Sequence, residues 1–304
     1  MHKPRVLFLG RTTLDVLYRL DRMPEEDTKV YARDLQAAPG GPALNAAITH
    51  ALLGGTAMLI SAVGSGPWAA PVRSQLRRHG VRLLDLAAGT AYETPLCSVL
   101  VNAANATRTI VNPPISQVPL RYLGASWAAE APSSWGRVPP VVLTDGFFFQ
   151  ETSALLSACK SAGAALCLDG GSWKPGTAEL APLLTVAICS ERFAIPGHSG
   201  PDGDSDAVFA WFAARGVPYV AVTRGARSIL ASDRGRRFEI QIARIAATDT
   251  LGAGDVLHGA FCHHFARIPD FEPALRRASQ IATLSCQGLG AQAWARQPGG
   301  TTAG

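Results

Sequence analysis

Asp249-Thr250-Leu251-Gly252-Ala253-Gly254-Asp255 runs directly into Val256-Leu257-His258-Gly259-Ala260-Phe261. Behind Asp255 the apolar residues Val256, Leu257, Ala260, Phe261 and Phe265 recur at spacings of one, three and four, the period of a buried helix face. The glycines before that run are poor helix-interior residues, so they mark the entry to the helix. A Gly-Ala-Gly turn opening a helix offers unbonded backbone N–H groups and the positive end of the helix dipole, and both favour an anion. Asp255 falls in the first turn, beside the place such an anion would take. A carboxylate there suits mere binding poorly. It suits a site where the carboxylate takes a proton while the anion hole holds negative charge during group transfer. Spacing alone also allows a first-turn Asp that only balances the dipole.

Working outward, the second half of the chain alternates strand and helix. Apolar strand-like runs at 141–145, 165–169, 186–190 and 219–223 are separated by helical stretches such as 152–162 and 206–215. That alternation predicts an α/β fold with a parallel sheet between helices. Asp145, Asp169, Ser190-Glu191 and Thr223-Arg224-Gly225 then stand at strand carboxyl ends, the rim where such folds hold ligands. A last helix is expected over 273–286, and residues 291–304 read as a flexible tail.

The first half opens with a buried strand at 6–10, followed by a second strand at 12–20 that carries Asp15, either a turn residue or a ligand-facing acid. A strand is predicted over 29–35 and ends at Ala38-Pro39-Gly40-Gly41-Pro42. This second glycine turn feeds an alanine-rich helix to Leu53, with Asn45 in its first turns. The two glycines allow either close ligand approach or close helix–sheet packing, and Asn45 offers a donor and an acceptor to a hydroxyl. Strands at 94–102 and 107–112 read as a hairpin. With 13–20 and 29–35 they would make a small antiparallel sheet standing apart from the main one. Segments 12–38 and 94–113 are therefore expected to form a lid on a domain spanning 1–290.

The bulk numbers exclude several classes. At 304 residues the chain is long enough for two domains or one large α/β unit with a substantial core, and 47% hydrophobic with 17% charged residues describes a folded soluble protein, not a disordered one. It has no apolar run long enough for a membrane helix. Six scattered cysteines (97, 159, 167, 189, 262, 286) lack paired spacing and read as reduced thiols of a cytoplasmic protein. The net charge of +5 comes mainly from arginine, with lysine only at 3, 29, 160 and 174. Without basic runs interleaved with aromatics, nucleic acid is not expected as a partner, whereas anionic small molecules suit the charge. No Gly-x-Gly-x-x-Gly follows the first strand, which argues against a dinucleotide-binding dehydrogenase. His258 and Cys262 share a helix face, but no second pair completes a zinc site. His263-His264 reads as a surface or interface feature.

With Asp15, Gly40-Gly41, Asn45 and 249–255 in view, the chain resembles the ribokinase/PfkB family of carbohydrate kinases over roughly residues 5–290. Leu14-Asp15, Asp27-Thr28-Lys29 and Gly259-Ala260-Phe261 look most like its ketohexokinase and sulfosugar-kinase branch. The resemblance implies a three-layer α/β/α domain with a β lid, and ATP-dependent phosphoryl transfer to a sugar hydroxyl. It implies Asp255 as base and the backbone of Gly252, Ala253 and Gly254 as anion hole. Asp15, Gly40, Gly41 and Asn45 would bind the sugar, with Lys29, Arg108 and Asn112 reaching a polar or acidic substrate group from the lid. Lys29 by itself reads first as a solvated strand charge. Ser190, Glu191, Thr223, Gly225, Ala282 and Ser285 would adjoin the nucleotide, and Glu191 would approach Mg²⁺ through water. ATP and Mg²⁺ are the implied cofactors, with a monovalent cation as an open addition, and a homodimer through the lid is expected.

The family's Asn-x-x-Glu stretch is reduced here to Ser190-Glu191, and Arg227-Ser228 stands where a glycine often follows Thr-x-Gly. A nucleoside kinase of the same family and a weakly catalytic sugar sensor are the alternatives. The physical requirement agrees with transfer. A phosphoryl group in flight needs positioning and charge stabilisation, and no Walker-type lysine cradle is present, so a helix N-terminus, Mg²⁺ and arginine must supply the field.

Overall fold

The computed structural model describes residues 3–105, 107–131, 133–198, 204–288 and 290–296. In chain order the elements are β1 (Arg5–Leu9), β2 (Thr13–Leu20), β3 (Asp34–Gly40), α1 (Pro42–Leu52), β4 (Thr56–Ser61), α2 (Ala69–Arg78) and β5 (Arg82–Asp85). Next come β6 (Leu96–Asn102), β7 (Arg108–Val111), α3 (Trp127–Glu130), β8 (Val141–Thr144), α4 (Phe149–Ser161), β9 (Ala165–Gly170) and α5 (Thr177–Leu180). The chain closes with β10 (Val186–Ser190), α6 (Ser205–Ala213), β11 (Tyr219–Thr223), β12 (Ile229–Asp233), β13 (Arg236–Ile240), α7 (Ala253–Arg267) and α8 (Phe271–Ser285).

A main sheet has the order β13-β12-β11-β10-β9-β8-β1-β4-β5, parallel from β11 through β5. Alternation along each strand divides its side chains between two cores. Val6, Phe8, Val141 and Leu143 face Leu44, Ile48, Leu257, Phe261 and Leu275 of α1, α7 and α8. Leu7, Leu9 and Val142 face Leu155, Leu180 and Phe212 of α4, α5 and α6. The result is the three-layer α/β/α arrangement expected from the alternating pattern.

One hairpin adds to the expected elements, and two strand expectations need correction. The antiparallel hairpin β12–β13 closes one edge of the main sheet; its turn, Arg234-Gly235, has positive φ at both residues, a hairpin signal that sequence reading passed over. The predicted strand at 29–35 lies later, at Asp34–Gly40, and contains Pro39. Proline survives there because β3 is the outer strand of the small sheet and needs no donor on its free side. The small sheet, order β3-β2-β6-β7, is not wholly antiparallel: β2 and β6 run parallel. Four elements, α1, β4, α2 and β5, lie between β3 and β6, and a long excursion through the main domain lets β6 return beside β2 in the same direction.

The tail expectation also fails for 291–296. Ala293–Arg296 form a 3-10 turn and Trp294 is buried; residues 297–304 lie outside those described. His263 is buried rather than a surface feature, with its ring 5.1 Å from that of His50 between α1 and α7.

Candidate active site

The carboxyl ends of β1, β8 and β9, the first turns of α1 and α7 and the inner face of the small sheet surround one cavity of about 840 Å³. Of the residues singled out in the sequence, Asp15, Gly40, Gly41 and Asn45 line it from one side, and Arg108, Asn112, Gly252 and Asp255 from the others.

At the start of α7, Gly252 is the N-cap, with φ 73°; a Cβ there would also stand 2.8 Å from that of Ala291. Val256 is the residue whose N–H first bonds back into the helix, to the Gly252 carbonyl at 2.9 Å. The N–H groups of Gly254 and Asp255 precede it and make no backbone bond, whereas Ala253 N–H, expected in the anion hole, donates to the Thr250 carbonyl at 3.4 Å. Asp249 does not face the cavity but braces this loop. One of its oxygens accepts from Leu251 N–H at 2.8 Å and the other from Gly290 N–H at 2.9 Å.

Half-buried Asp255 accepts a hydrogen bond from Asn45 Nδ2 at 2.8 Å. Its carboxyl is pushed up to about 7, first by burial and next by the Asp169 carboxylate, while the Asn45 hydrogen bond pulls the other way. Gly41 caps α1 with φ 99°, where a Cβ would meet the Arg11 carbonyl oxygen at 2.5 Å, and Pro42 starts the helix. Asp15 accepts from Thr13 Oγ1 at 2.7 Å, and burial raises its carboxyl above the usual range. From the lid, Arg108 Nη1 donates to Thr250 Oγ1 at 3.0 Å, tying β7 to the loop before α7. Asn112 Oδ1 accepts from Cys97 Sγ at 3.3 Å.

Lys29 is not brought to the cavity; it is exposed in the connection between β2 and β3. Ser190, Glu191, Thr223 and Gly225 gather at and beyond the ends of β10 and β11, outside the cavity lining. Glu191 is ion-paired with Arg227 there. Ala282 and Ser285 lie on the last turns of α8, whose following residue, Cys286, accepts the N–H groups of Thr248 and Asp249 at 2.8 and 3.2 Å.

Several contributors carried only a positional signal. Asp145 and Asp169, read as rim acids, both line the cavity and are nearly fully buried. Asp145 accepts from the N–H groups of Arg11 and Phe147 at 2.8 and 3.0 Å, and burial pushes its carboxyl up to about 6. His258, noted for metal spacing, instead sits beneath Asp255. Its Nδ1 lies 2.7 Å from the Gly254 carbonyl and 3.3 Å from Asp169 Oδ2, and its Nε2 is 3.1 Å from the Ile188 carbonyl. Asp169 Oδ2 has no hydrogen-bond partner among the described residues. No group of three or more metal-ligating side chains occurs among them, and no helix is long and apolar enough to cross a membrane.

The model of the pfkB family of carbohydrate kinases matches residues 3–297. The chain belongs to that family. Its members transfer a phosphoryl group from ATP to a sugar or nucleoside, which makes this pfkB-family chain a phosphotransferase. It is 22% identical over 287 residues to the ribokinase of Bacillus subtilis, covering 94% of each chain. It is 27% identical over 281 residues to the 2-dehydro-3-deoxygalactonokinase of Haloferax volcanii, covering 86% of each. The match to mouse ketohexokinase, at 28% identity, spans 36% of this chain and 37% of that protein. Among solved structures, the ribokinase of Thermotoga maritima superposes with a TM-score of 0.72 at 17% identity, with 96% of each chain covered.

Proposed function

We propose that this pfkB-family kinase moves the γ-phosphoryl group of ATP to a hydroxyl of a sugar or sugar derivative held between Asp15 and Asp255. The observation that carries the reading is the Asp255 carboxylate, in the cavity, held by Asn45 and adjacent to unbonded N–H groups at the start of α7. Asp255 accepts the proton of the attacking hydroxyl, and a carboxyl raised towards neutrality is a better match for that task than an ordinary one. The Gly252–Asp255 turn faces the charge that builds on the transferring group, with the Gly254 and Asp255 N–H groups unbonded and Arg108 close by on Thr250. Gly40, Gly41, Asn45 and Asn112 give the sugar its polar contacts, and Lys29 joins them only if its connection moves inward.

Ser190, Glu191, Thr223, Gly225, Ala282 and Ser285 border the nucleotide in this reading. Mg²⁺ takes most of its ligands from phosphates and water, so one partly exposed carboxylate, Glu191, suits a water-mediated contact. The ion neutralises phosphate charge when bound. The Glu191–Arg227 pair also gives the sugar-sensor alternative its one specific support, because that carboxylate is already engaged. Six free cysteines support a cytoplasmic setting. A homodimer is supported by the free edges β3 and β7, where Leu35, Ile110 and Val111 are exposed.

ADP release with ketoses, sugar phosphates and nucleosides, in wild type and Asp255→Asn, tests the assignment. Turnover with a sugar, abolished by the substitution with ATP binding retained, is the expected result. Near-normal turnover of Asp255→Asn would overturn it, and binding of sugars without turnover would favour the sensor.

A further inference from the structure

The cavity holds a cationic pair that the transfer chemistry above does not use. Arg11 follows β1, and Lys174 lies four residues beyond the end of β9. Both line the cavity beside Phe147. The Arg11 guanidinium carbon is 5.3 Å from the centroid of that ring and Lys174 Nζ is 4.9 Å from it. Asp145 fixes the platform, because it accepts the N–H groups of Arg11 and Phe147.

Neither cation forms an ion pair among the described residues. Lys174 Nζ donates to the Ser172 carbonyl at 3.0 Å and to its Oγ at 2.5 Å, both neutral acceptors. The Arg11 guanidinium has five donors and no hydrogen bond to a described residue. The nearby carboxylates take their hydrogen bonds elsewhere: Asp15 from Thr13, Asp145 from two backbone N–H groups, and Asp169 Oδ1 from Gly171 N–H, while Asp169 Oδ2 lies 3.3 Å from His258 Nδ1 and accepts from neither cation. Burial holds the Lys174 ammonium below its usual range, and the Arg11 charge adds to that against the pull of Asp145 and Asp169. Two half-buried cations sharing one aromatic platform gain little from a neutral hydroxyl and much from a charge-assisted bond.

We infer that Arg11 and Lys174 form an anion subsite beside Phe147, and that the substrate is a sugar carrying a carboxylate, sulfonate or phosphate group. The inference rests on the kinase reading for the other end of the substrate, where a hydroxyl faces Asp255. The anionic group lies over Phe147 and sets which hydroxyl reaches the base.

The test uses compounds paired to differ in charge: gluconate against glucitol, glucuronate against glucose, fructose 6-phosphate against fructose, and a 6-sulfonated hexose against the parent sugar. Each is scored by the melting-temperature shift without nucleotide and by ADP release with ATP. One anionic member is expected to exceed its neutral partner by about ten- to a hundred-fold in kcat/KM, the worth of one charge-assisted hydrogen bond. Which pair responds separates carboxylate, sulfonate and phosphate. Arg11→Gln and Lys174→Met are expected to erase that ratio, and Lys174→Arg to keep it, with circular dichroism checking that each variant folds. Equal use of both members in every pair, a ratio that survives both neutral substitutions, or failure of every anionic compound to bind and turn over would each overturn the subsite. Turnover of neutral sugars alone would leave the kinase assignment standing. An Arg11-dependent melting shift without ADP release from any acceptor would support the subsite and sink the kinase reading.

Discussion

Two glycine turns open two neighbouring helices in this protein, and they do different work. At α1, Gly41 bends the chain at φ 99° past the Arg11 carbonyl, proline sets the first helical residue, and no acid occupies the first turn. At α7, Gly252 bends the chain at φ 73° and Asp255 stands in the first turn. The first turn is a hinge of shape. It carries a lid strand directly into a core helix and sets Asn45 one turn in. The second places a carboxylate beside unbonded N–H groups. Asn45 and Asp255 join the two across 2.8 Å, so the first turn orients the carboxylate of the second. Similar backbone devices thus differ in function because one first turn carries an acid and the other does not.

The largest effect expected from breaking this contrast is chemical. Asp255→Asn should lower kcat by about a hundred- to ten-thousand-fold, the usual worth of a positioned base, in an ADP-release assay. The same variant should melt no lower than wild type at pH 8. Because the folded-state pKa of Asp255 is raised, its contribution to stability is full below the unfolded value and is lost as pH rises through about 7. Asp249→Asn should do the reverse in stability, since Asp249 braces the loop through Leu251 and Gly290. A lower melting temperature for Asp255→Asn than for Asp249→Asn would contradict this division of labour.

Gly252→Ala and Gly41→Ala come next. Each puts a Cβ into a left-handed conformation and against a neighbour, at a cost of about 1–3 kcal/mol measured by denaturant unfolding. The comparison predicts a split in kinetics. Gly41→Ala should act mainly on KM for the acceptor and Gly252→Ala mainly on kcat. Equal changes in both parameters for both variants would erase the distinction.

Much of this was legible in the sequence because it is local. The period of 256–265, the glycines before it and the strand–helix alternation each follow from the backbone preferences of a few adjacent residues. The α/β layers agree with that reading, and Asp15, Asn45 and Asp255 line one cavity. The misreadings arose where distant partners decide. Pro39 belongs in a strand only because β3 is an outer strand, and β6 lies parallel to β2 only because of the excursion between them. His258 had no assigned role in the sequence, and its place emerges only where Asp169, Gly254 and Ile188 surround it. Phe147, Arg11 and Lys174 had no motif at all. Their meeting depends on how β1, β8 and β9 end side by side.

The smallest effect is the most diagnostic, because two substitutions should move one quantity in opposite directions. In the proposed reaction ionised Asp255 is the base, so kcat should fall with pH below about 7, ten-fold per unit once well below it. Asn45 donates to the ionised carboxylate and stabilises it; without that bond the pKa rises, so Asn45→Ala should move the acid limb to higher pH. Asp169 acts on Asp255 as a like charge and raises its pKa, so Asp169→Asn should move the limb to lower pH. A structural defect would lower activity at every pH without shifting the limb. If both variants shift it the same way, or neither does, the group titrating in turnover is not Asp255. Opposite shifts would identify Asp255 as the titrating base and show that the α1 turn and the β9 rim bias it in opposite senses.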